Sequence, residues 1–572
     1  MQPENTHTVT VRYAGGEERR GPVTMGQANM IRCILRDDPA QINIHDVWAA
    51  PAGTRLDAAI DALRVLVVRH EALRTTFPPG DGAAPGEQVV AAEGEFTVTV
   101  VDHEELPPET RSYVEALANR ARAERFALEK EFALRISLVA LRGAPVLAVV
   151  VASHAATDGS ALAVLQDEWL TLLAGESLPP LTAVTPLDLA AEEATPAGLR
   201  RSLASLRYWE QIIRTGPQAM FAEPGATGVD VRLPQLTLRS RRGARALARV
   251  AERTGGLPST VLLTAWCALI AHRAGQSTCV VAVPTSNRFL PRLARSVNTV
   301  SQDALLSLDV RAPSFDVLLR KAWGAALNAY RHSQFDAVAL WEMIGRTTFE
   351  RGSHFARDVV FNDVSTLPAD LARATAEGED GPDLELSWGT AQVLPTRSLV
   401  FVHQISPLLH LGMRADPALF PEDEAEGFLT GLVRLLEAAA EADVPFTSLT
   451  ELTGIRPARR GADWSQVDGS WISPPAVAQA LSEALDGLPV HVTLDARPEG
   501  EAVLTAFIAA GGSPLTPARA HAALMDALPG RPGVLAPRRY VIVQDPPAGA
   551  DRTNDWLRQQ ILMEGNGRER SM

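Results

Sequence analysis

The chain has 572 residues, of which 46% are hydrophobic and 21% charged, and its formal net charge is −14 at pH 7. This length exceeds what one hydrophobic core organises, so we expect a globular protein with more than one lobe or domain. The acidic balance argues against nucleic acid as a partner. The polar N-terminal stretch argues against a secretory signal, and no apolar run is long enough to span a membrane.

The cysteines indicate the compartment. Cys33, Cys267 and Cys279 are few and widely spaced. Such spacing favours neither a disulfide framework nor a zinc site, and it predicts a reducing environment, the cytoplasm.

Helix and strand patterns alternate through the first part of the chain. Residues 1–21 predict a loose N-terminal tail with one short strand. A helix is predicted in "TMGQANMIRCIL", and a longer one in "TRLDAAIDALRVLVVRHEALRTTF", where Thr54 and Asp57 resemble a helix cap. The apolar face of the first of these helices is expected to consist of Met25, Ala28, Ile31 and Leu35.

Two strands precede the most informative loop. After a helix from Tyr113 to Leu128, "ALRISLVALRG" and "APVLAVVVASH" predict neighbouring strands joined by a turn at Arg142 and Gly143. The second strand leads into a loop with His154, and apolar residues at helical spacing follow it. Alternating strands and helices are typical of an α/β or α+β fold.

The second part of the chain repeats this type of pattern. A Pro- and Ala-rich stretch near residue 190 predicts an interlobe linker. We expect one lobe over residues 22–190, another over 191–452, a linker over 453–470 and a small third domain over 471–572. The third domain has its own strand-helix-strand pattern in "VLTAFIAA", "PARAHAALMDAL" and "RRYVIVQ".

The loop "SHAATDG" is the strongest candidate for chemistry. It places His154, Asp158 and Gly159 between a buried strand and the start of a helix. An imidazole there can accept a proton from a nucleophile at neutral pH, and free N–H groups at a helix start can stabilise an oxyanion. Gly159 has no side chain, which permits a substrate to approach closely.

The residues alone leave other interpretations open. His154 can be an ordinary turn histidine, and Asp158 the N-cap of the next helix. A metal site is disfavoured because His45, His70 and His103 lack paired spacing. A Ser-His-Asp hydrolase is disfavoured because no G-x-S-x-G motif is present and Ser153 would point away from His154.

Several motifs resemble those of one enzyme family. "RHEALRTTF" resembles the Arg-His-Glu-x-Leu-Arg-Thr-x-Phe motif of condensation domains of nonribosomal peptide synthetases, which also carry His-His-x-x-x-Asp-Gly, here "SHAATDG". Further similar stretches follow the family's order: "TMGQANMIRCIL", "LRYW", "RSVNTVSQ", "HSQFDAVALWE" and "RDVVFND". The resemblance covers roughly residues 23–452.

The resemblance implies a fold and a site. The fold would be a V-shaped pseudo-dimer of two chloramphenicol acetyltransferase-like lobes with a central tunnel. His154 matches the active-site histidine, and Gly159 the glycine whose N–H lies near the reacting carbonyl. Asp158 matches a structural aspartate that pairs with an arginine across the lobes, here Arg288, as a buried bidentate pair.

Other positions are assigned by the same resemblance. Phe289, Asn298 and Asn362 match positions that bind substrate, with Phe289 and Asn362 on the acceptor side. Ser153 replaces the family's first histidine and is expected to support the loop instead of touching substrate. "RSVNTVSQD" lacks the Gly-x-Phe that usually precedes Val-Asn-Thr, which affects the expected tunnel shape near this motif.

The C-terminal segment resembles the small C-terminal lobe of adenylation domains. Its "ADRTND" is a degraded form of the Asn-Gly-Lys-Val-Asp pattern, with Arg552 at the position of the adenylating lysine. The large adenylation lobe and a carrier-type serine motif are absent from the sequence. The segment is therefore interpreted as a relic, a docking surface or a solubility cap.

The resemblance implies a free-standing condensation enzyme of natural-product (antibiotic) biosynthesis. It would join an acyl or aminoacyl thioester, held on the phosphopantetheine of a carrier protein, to an amine or an alcohol. No intrinsic cofactor or metal, no nucleic acid and no membrane is expected, and two internal lobes make a monomer sufficient. The alternatives are a coenzyme A-dependent acyltransferase of the same superfamily and a catalytically silent scaffold protein.

Overall fold

The computed structural model describes residues 5–80, 84–226, 231–367, 382–495, 502–548 and 552–569. Helices and strands alternate along the chain and are grouped in an N-lobe, a C-lobe and a C-terminal domain. The mixed α/β architecture agrees with the fold class expected from the sequence.

The N-lobe is built on a mixed sheet. Its strands are β1 (Asn5–Tyr13), β2 (Arg19–Pro22), β3 (Ile44–Ala49), β4 (Thr75–Thr76), β5 (Glu87–Val90), β6 (Gly94–His103), β7 (Leu134–Leu141) and β8 (Ala144–Ala152). Its helices are α1 (Met25–Arg36), α2 (Pro39–Ile42), α3 (Leu56–Arg69), α4 (Thr110–Arg122), α5 (Gly159–Leu173) and α6 (Pro186–Glu193). Within the described residues the main sheet has the order β1-β6-β7-β8-β3, and β2, β5 and β4 form a smaller sheet.

Strand β8 is apolar along nearly its whole length because helices cover both faces of the sheet. Helices α3 and α5 pack on one face around Trp48 and Trp169. Helix α4 packs on the other face, where Val114 contacts a cluster that includes Val149. The predicted turn between β7 and β8 is confirmed, and Arg142 and Gly143 both have positive φ, at 51° and 79°.

Three predictions for the N-lobe are wrong in detail. The strand expected in the N-terminal tail is present but is neither short nor loose, because Asn5–Tyr13 pair along their full length with β6 as the edge strand β1. Thr54 does not cap α3, since its hydroxyl donates to the Pro51 carbonyl and the helix begins at Leu56. Leu35 is 48% exposed, whereas the predicted Ile31 is buried, and Ile34 is buried beside it.

The C-lobe is built on a larger sheet. Its helices are α7 (Pro196–Thr215), α8 (Arg241–Thr254), α9 (Pro258–Ala274), α10 (Pro291–Ala294), α11 (Phe315–Arg331), α12 (Ala337–Arg351), α13 (Glu422–Glu441) and α14 (Leu449–Thr453). Its strands are β9 (Arg232–Ser240), β10 (Thr278–Thr285), β11 (Gln302–Asp309), β12 (Val359–Asp363), β13 (Leu384–Val393), β14 (Ser398–Gln404) and β15 (Leu409–Ala415). In the described chain the sheet order is β11-β10-β12-β14-β15-β9-β13.

One face of the C-lobe sheet carries its core. Helices α8, α9, α11 and α13 pack there, with α9 buried around Trp266 and α13 around Phe428. Because side chains alternate along strands, the opposite face carries the intervening residues of each strand, and several of these are polar, such as Arg239, His410 and Arg414. The stretch expected to be an interlobe linker contains helix α6 and the start of α7.

The C-terminal domain packs directly on the C-lobe. Its elements are β16 (Ser465–Val467), β17 (Ser470–Ile472), α15 (Pro474–Ala484), β18 (Val490–Asp495), β19 (Val503–Ala509), α16 (Pro517–Ala527), β20 (Arg539–Val543), α17 (Thr553–Leu557) and β21 (Ile561–Gly565). The Ala536 N–H donates to the Gly352 carbonyl at 2.7 Å, and His521 Nε2 lies 3.0 Å from the Phe349 carbonyl. These contacts fasten the domain to the C-terminal end of α12.

Candidate active site

His154 lies in the turn between β8 and α5 and is half-buried. Its Nδ1 lies 3.4 Å from the Thr299 hydroxyl, which comes from the C-lobe. Burial lowers the pKa of His154 below 6.5, and the negative charge of Asp158 only partly opposes this effect. The imidazole is therefore neutral at neutral pH, and a neutral imidazole can accept a proton.

Asp158 is buried and uses both of its carboxylate oxygens. Oδ1 accepts from the Ala161 N–H at 2.9 Å and caps α5. Oδ2 accepts from Arg288 at 2.7 Å, from the Val300 N–H at 2.9 Å, and from the N–H and hydroxyl of Ser301. Two interpretations that competed in the sequence, helix cap and interlobe ion pair, thus hold for the same carboxylate.

The Arg288–Asp158 pair is not bidentate, which corrects the predicted geometry. Only Nη1 of Arg288 contacts the carboxylate, since Oδ1 of Asp158 is engaged by α5. Nη2 of Arg288 donates to the carbonyls of Ser296 and Asn298, at 3.0 and 3.1 Å. The guanidinium thereby connects the His154 loop to the segment that carries Thr299.

These contacts also set the charge state of Asp158. Burial alone would raise its pKa, but the charge and hydrogen bond of Arg288 and the N–H groups of Val300 and Ala161 outweigh burial. The pKa of Asp158 is consequently held below 3.8, and the carboxylate is ionised at neutral pH.

Gly159 is the first residue of α5 and lies against the C-lobe. A Cβ at this position would lie 3.1 Å from Cδ1 of Leu367, which follows β12. The absence of a side chain therefore permits a close approach between the start of α5 and the loop after β12.

Ser153 is buried, but its hydroxyl has no hydrogen-bond partner among the described residues. Its backbone carbonyl instead accepts from the N–H groups of Ala156 and Thr157 and thereby shapes the turn. The main chain of Ser153 therefore stabilises the loop, whereas its side chain makes no hydrogen bond to the described residues of the loop.

The three positions matched to substrate binding lie in different surroundings. Phe289 is 63% exposed, whereas Asn298 is fully buried, with both side-chain polar atoms unpartnered in the described part of the chain. Asn362 is half-buried on β12, opposite Phe401 of β14. None of the described hydrogen bonds or ring contacts connects these three side chains to His154. Their roles in substrate binding therefore stay predictions.

The motif "RHEALRTTF" positions the site from a distance. Arg69 Nε and His70 Nε2 contact Glu168 on α5, at 3.1 and 2.7 Å, and Arg295 of the C-lobe contacts the other carboxylate oxygen at 3.4 Å. The motif thus holds the helix that follows the His154 loop. Sequence reasoning missed Glu168 and Thr299, although Thr299 lies inside the quoted "RSVNTVSQ".

The described residues contain neither a candidate metal-binding cluster nor a single helix that could span a membrane. Across the described residues, no group of three or more His, Cys, Asp or Glu side chains is arranged to hold a metal ion. No single described helix has the length and apolarity to cross a membrane; only α8 and α9 taken together, with a bend of 104° between them, meet that test.

Comparison with solved structures gives the class of fold. The structure of SgcC5 from Streptomyces globisporus matches with a TM-score of 0.57 and 20% identity, over 74% of this chain and all of that one. The first condensation domain of the calcium-dependent antibiotic synthetase matches with a TM-score of 0.56 and 17% identity, over 76% of this chain and 98% of that one. Two chloramphenicol acetyltransferase-like lobes, as expected from the motifs, define the class.

Sequence comparison gives the family. The condensation domain model matches residues 38–452, and the chain belongs to the condensation domain family. Phosphinothricin tripeptide synthetase PhsC of Streptomyces viridochromogenes is 30% identical over 258 residues, 41% of this chain and 23% of that protein. Tyrocidine synthase 3 of Brevibacillus parabrevis is 26% identical over 304 residues, 51% of this chain and 4% of that protein. The chain spans less than a quarter of the length of these curated relatives.

Proposed function

We propose that this protein is a condensation enzyme of nonribosomal peptide biosynthesis that joins a carrier-tethered acyl or aminoacyl thioester to an amine or alcohol. Condensation domains of nonribosomal peptide synthetases are enzymes of the acyltransferase type that form amide or ester bonds. They use substrates tethered to the phosphopantetheine of carrier proteins and need no intrinsic cofactor. The observation that carries the proposal is the neutral, half-buried His154 next to Thr299 of the opposite lobe.

The proposed reaction balances with His154 as the proton carrier. The amine or hydroxyl attacks the thioester carbonyl and gives its proton to the unprotonated ring nitrogen of the neutral His154 imidazole. The tetrahedral intermediate then collapses, the C–S bond breaks, and the thiolate of the phosphopantetheine receives that proton. The N-terminus of α5 at Gly159 supplies N–H groups that can stabilise the developing oxyanion.

The test is a condensation assay with carrier proteins loaded with acyl thioesters and an amine or alcohol acceptor. The wild-type protein is compared with His154→Gln and with the control His272→Gln, a partly buried histidine that contacts Thr450 within the C-lobe. We expect product from the wild type and the control only. Product from a free coenzyme A thioester without carrier protein would identify the coenzyme A-dependent alternative. Unchanged biological function of His154→Gln would identify the scaffold alternative.

We also propose that residues 471–572 derive from the small lobe of an adenylation domain and have lost adenylation. The strand-helix-strand order of β19, α16 and β20 supports this origin, and so does Arg552 at the lysine position. The residues matched to the condensation family end at 452, before this domain. The experiment is ATP–pyrophosphate exchange with the full chain, for which no exchange is expected with any amino acid.

For the remaining assignments, we propose a monomer in the cytoplasm whose partners are carrier proteins. Free cysteines at positions 33, 267 and 279 support a reducing compartment. Light scattering of the purified chain tests the oligomeric state.

A further inference from the structure

A row of basic side chains crosses the C-lobe sheet on the face that points away from its core. Core residues of β9 and β15 include Leu238, Leu409 and Leu411. Because side chains alternate along a strand, Arg239 and His410 lie on the opposite face. Arg239 and His410 are direct partners in the antiparallel pairing of β9 with β15. We call this row, Arg239, His410 and His403, the basic row.

The basic row is continuous with the side of the sheet that carries Asn362. The rings of His403 and His410 lie 4.7 Å apart, and the ring of Phe401 stacks on His403 at 5.7 Å. Phe401 is in turn the pairing partner of Asn362 on β12. The same sheet face therefore leads from a residue matched to the acceptor side to Arg239.

Two members of the row have unused hydrogen-bonding groups. His410 is 7% exposed, and its Nδ1 has no partner in the described residues. Arg239 is half-buried, its side chain makes no hydrogen bond or ion pair with a described residue, and its Nε is buried. Buried polar groups without partners carry a desolvation cost, which an oxygen ligand would remove.

Several of the surrounding charges are positive, and Glu385 of β13 is the exposed, negatively charged pairing partner of Arg239. Burial lowers the pKa of His410, and together with the charges of His403, Arg239 and Arg111 it brings this pKa to about 3. Arg111 belongs to α4 of the N-lobe and pairs with Glu115. The neighbouring Arg414 is buried on the same sheet face and donates to Gln235 and to two carbonyl groups. Both lobes thus contribute positive charge, which favours a negatively charged ligand.

The burial of the basic row distinguishes two candidate anionic ligands, the phosphate of a phosphopantetheine arm and the carboxylate of a small acceptor. The phosphate of a phosphopantetheine arm lies at the end next to the carrier protein, farthest from the reacting thiol. A group at that end would sit near the protein surface, whereas His410 of the row is 7% exposed and Arg414 beside the row is 6% exposed. The carboxylate of a small acceptor that is not attached to a carrier protein has no such constraint and can reach the depth at which the row lies.

We propose that the basic row binds the carboxylate of the acceptor, so that the nucleophile is an untethered small acid bearing an amine or hydroxyl. This inference rests on the proposed function, because it names the acceptor of that reaction. An acceptor amino acid tethered through its carboxyl carbon has no free α-carboxylate. The basic row would therefore bind a free acid, which has a carboxylate, and would not bind an amino acid whose carboxyl carbon is attached to a carrier protein. Arg239 provides a planar fork suited to a carboxylate, and His410 a further hydrogen bond.

Calorimetric binding of succinate and of inorganic phosphate to the full chain tests the proposal without requiring turnover. We expect succinate to bind the wild type and to bind Arg239→Gln roughly tenfold or more weakly, the effect of losing a charge-assisted hydrogen bond. Arg320→Gln is the matched control, because Arg320 is an exposed arginine of α11 without an ion pair in the described chain. This control should bind succinate as the wild type does.

Three outcomes would overturn the proposal: no succinate binding, equal binding by Arg239→Gln, or binding of phosphate in preference to succinate. If Arg239→Gln does not fold, His410→Asn decides by the same measurement. His154→Gln should keep its succinate binding even when condensation is lost. A failure of the proposed catalysis and a failure of the carboxylate site are therefore separately visible.

Discussion

Arg288 and Asp158 lie in different lobes and are joined by one short contact of 2.7 Å from Nη1 to Oδ2. Both side chains are nearly inaccessible, with exposures of 6% and 1%. The same carboxylate caps α5 through its other oxygen. A single side chain therefore connects the start of the helix behind His154 to the opposite lobe.

Removing the arginine should destabilise the fold more than removing the pair. We expect Arg288→Gln to lower the free energy of unfolding by roughly 3–5 kcal/mol, because it leaves the Asp158 carboxylate buried without its cation. Asp158→Asn combined with Arg288→Gln should cost less than the sum of the single changes. Denaturant unfolding of the three variants measures this coupling, and additive losses would contradict it.

His154 should affect turnover and not folding. We expect His154→Ala to reduce the condensation rate by at least about 100-fold, the usual contribution of general base catalysis. Its melting temperature should remain close to that of the wild type, since the side chain is half-buried and its contact with the Thr299 hydroxyl is long, at 3.4 Å. Near-wild-type turnover would exclude His154 as the base.

Gly159 and Leu367 provide a test of close approach. A Cβ at position 159 would lie 3.1 Å from Leu367 Cδ1, so Gly159→Ala requires the leucine to shift. We expect Gly159→Ala to reduce turnover with little loss of stability, because the end of a leucine side chain can move. If crowding by the leucine is the only cause, Gly159→Ala with Leu367→Ala will restore turnover. If the glycine is needed for substrate itself, the double variant will stay slow.

Glu193 should make stability fall as the pH rises. Burial raises its pKa from 4.5 to about 7, although its carboxylate accepts from the Met25 N–H. The folded protein thus binds more protons than the unfolded chain between these pH values, and stability decreases as pH rises through that interval. We expect Glu193→Gln to raise the melting temperature by roughly 2–4 °C at pH 8 and by less at pH 5. Equal effects at both pH values would contradict this assignment.

His521 should make the attachment of the C-terminal domain sensitive to acid. Burial lowers its pKa from 6.5 to about 4, and the ring bridges Tyr540 and the Phe349 carbonyl. A lowered histidine pKa means that stability present above pH 6.5 is lost as the pH falls towards 4. The protection factors of amides at the end of α12, which correct for the slower intrinsic exchange in acid, should fall over this range. In His521→Asn this loss of protection should disappear, and its persistence would assign it to another group.

The sequence predicts local structure well where one strand or turn determines it. The hairpin of β7 and β8 followed from two apolar runs and a turn that positive φ at Arg142 and Gly143 now explains. The loop was recognised because His154, Asp158 and Gly159 are close in sequence. Thr299 was not assigned to the site because it lies 145 residues from His154, and only the packing of the lobes brings them together.

The same limit explains the basic row. His403 and His410 come from the consecutive strands β14 and β15, whereas Arg239 comes from β9, which is distant in the chain and pairs with β15. Each residue alone resembles an ordinary polar position on a strand. A short strand in the N-terminal segment was expected, but its pairing as the edge strand β1 was not, since its partner β6 lies far along the chain.

The position of Asp158 has a consequence for how the lobes can move. Its Oδ2 receives Arg288, Val300 and Ser301 at the point where the two lobes meet beside His154. A rotation of one lobe about this pivot displaces distant atoms in proportion to their lever arm, and the catalytic loop hardly at all. Such a rotation would change the separation between distant parts of the two lobes and preserve the geometry around His154.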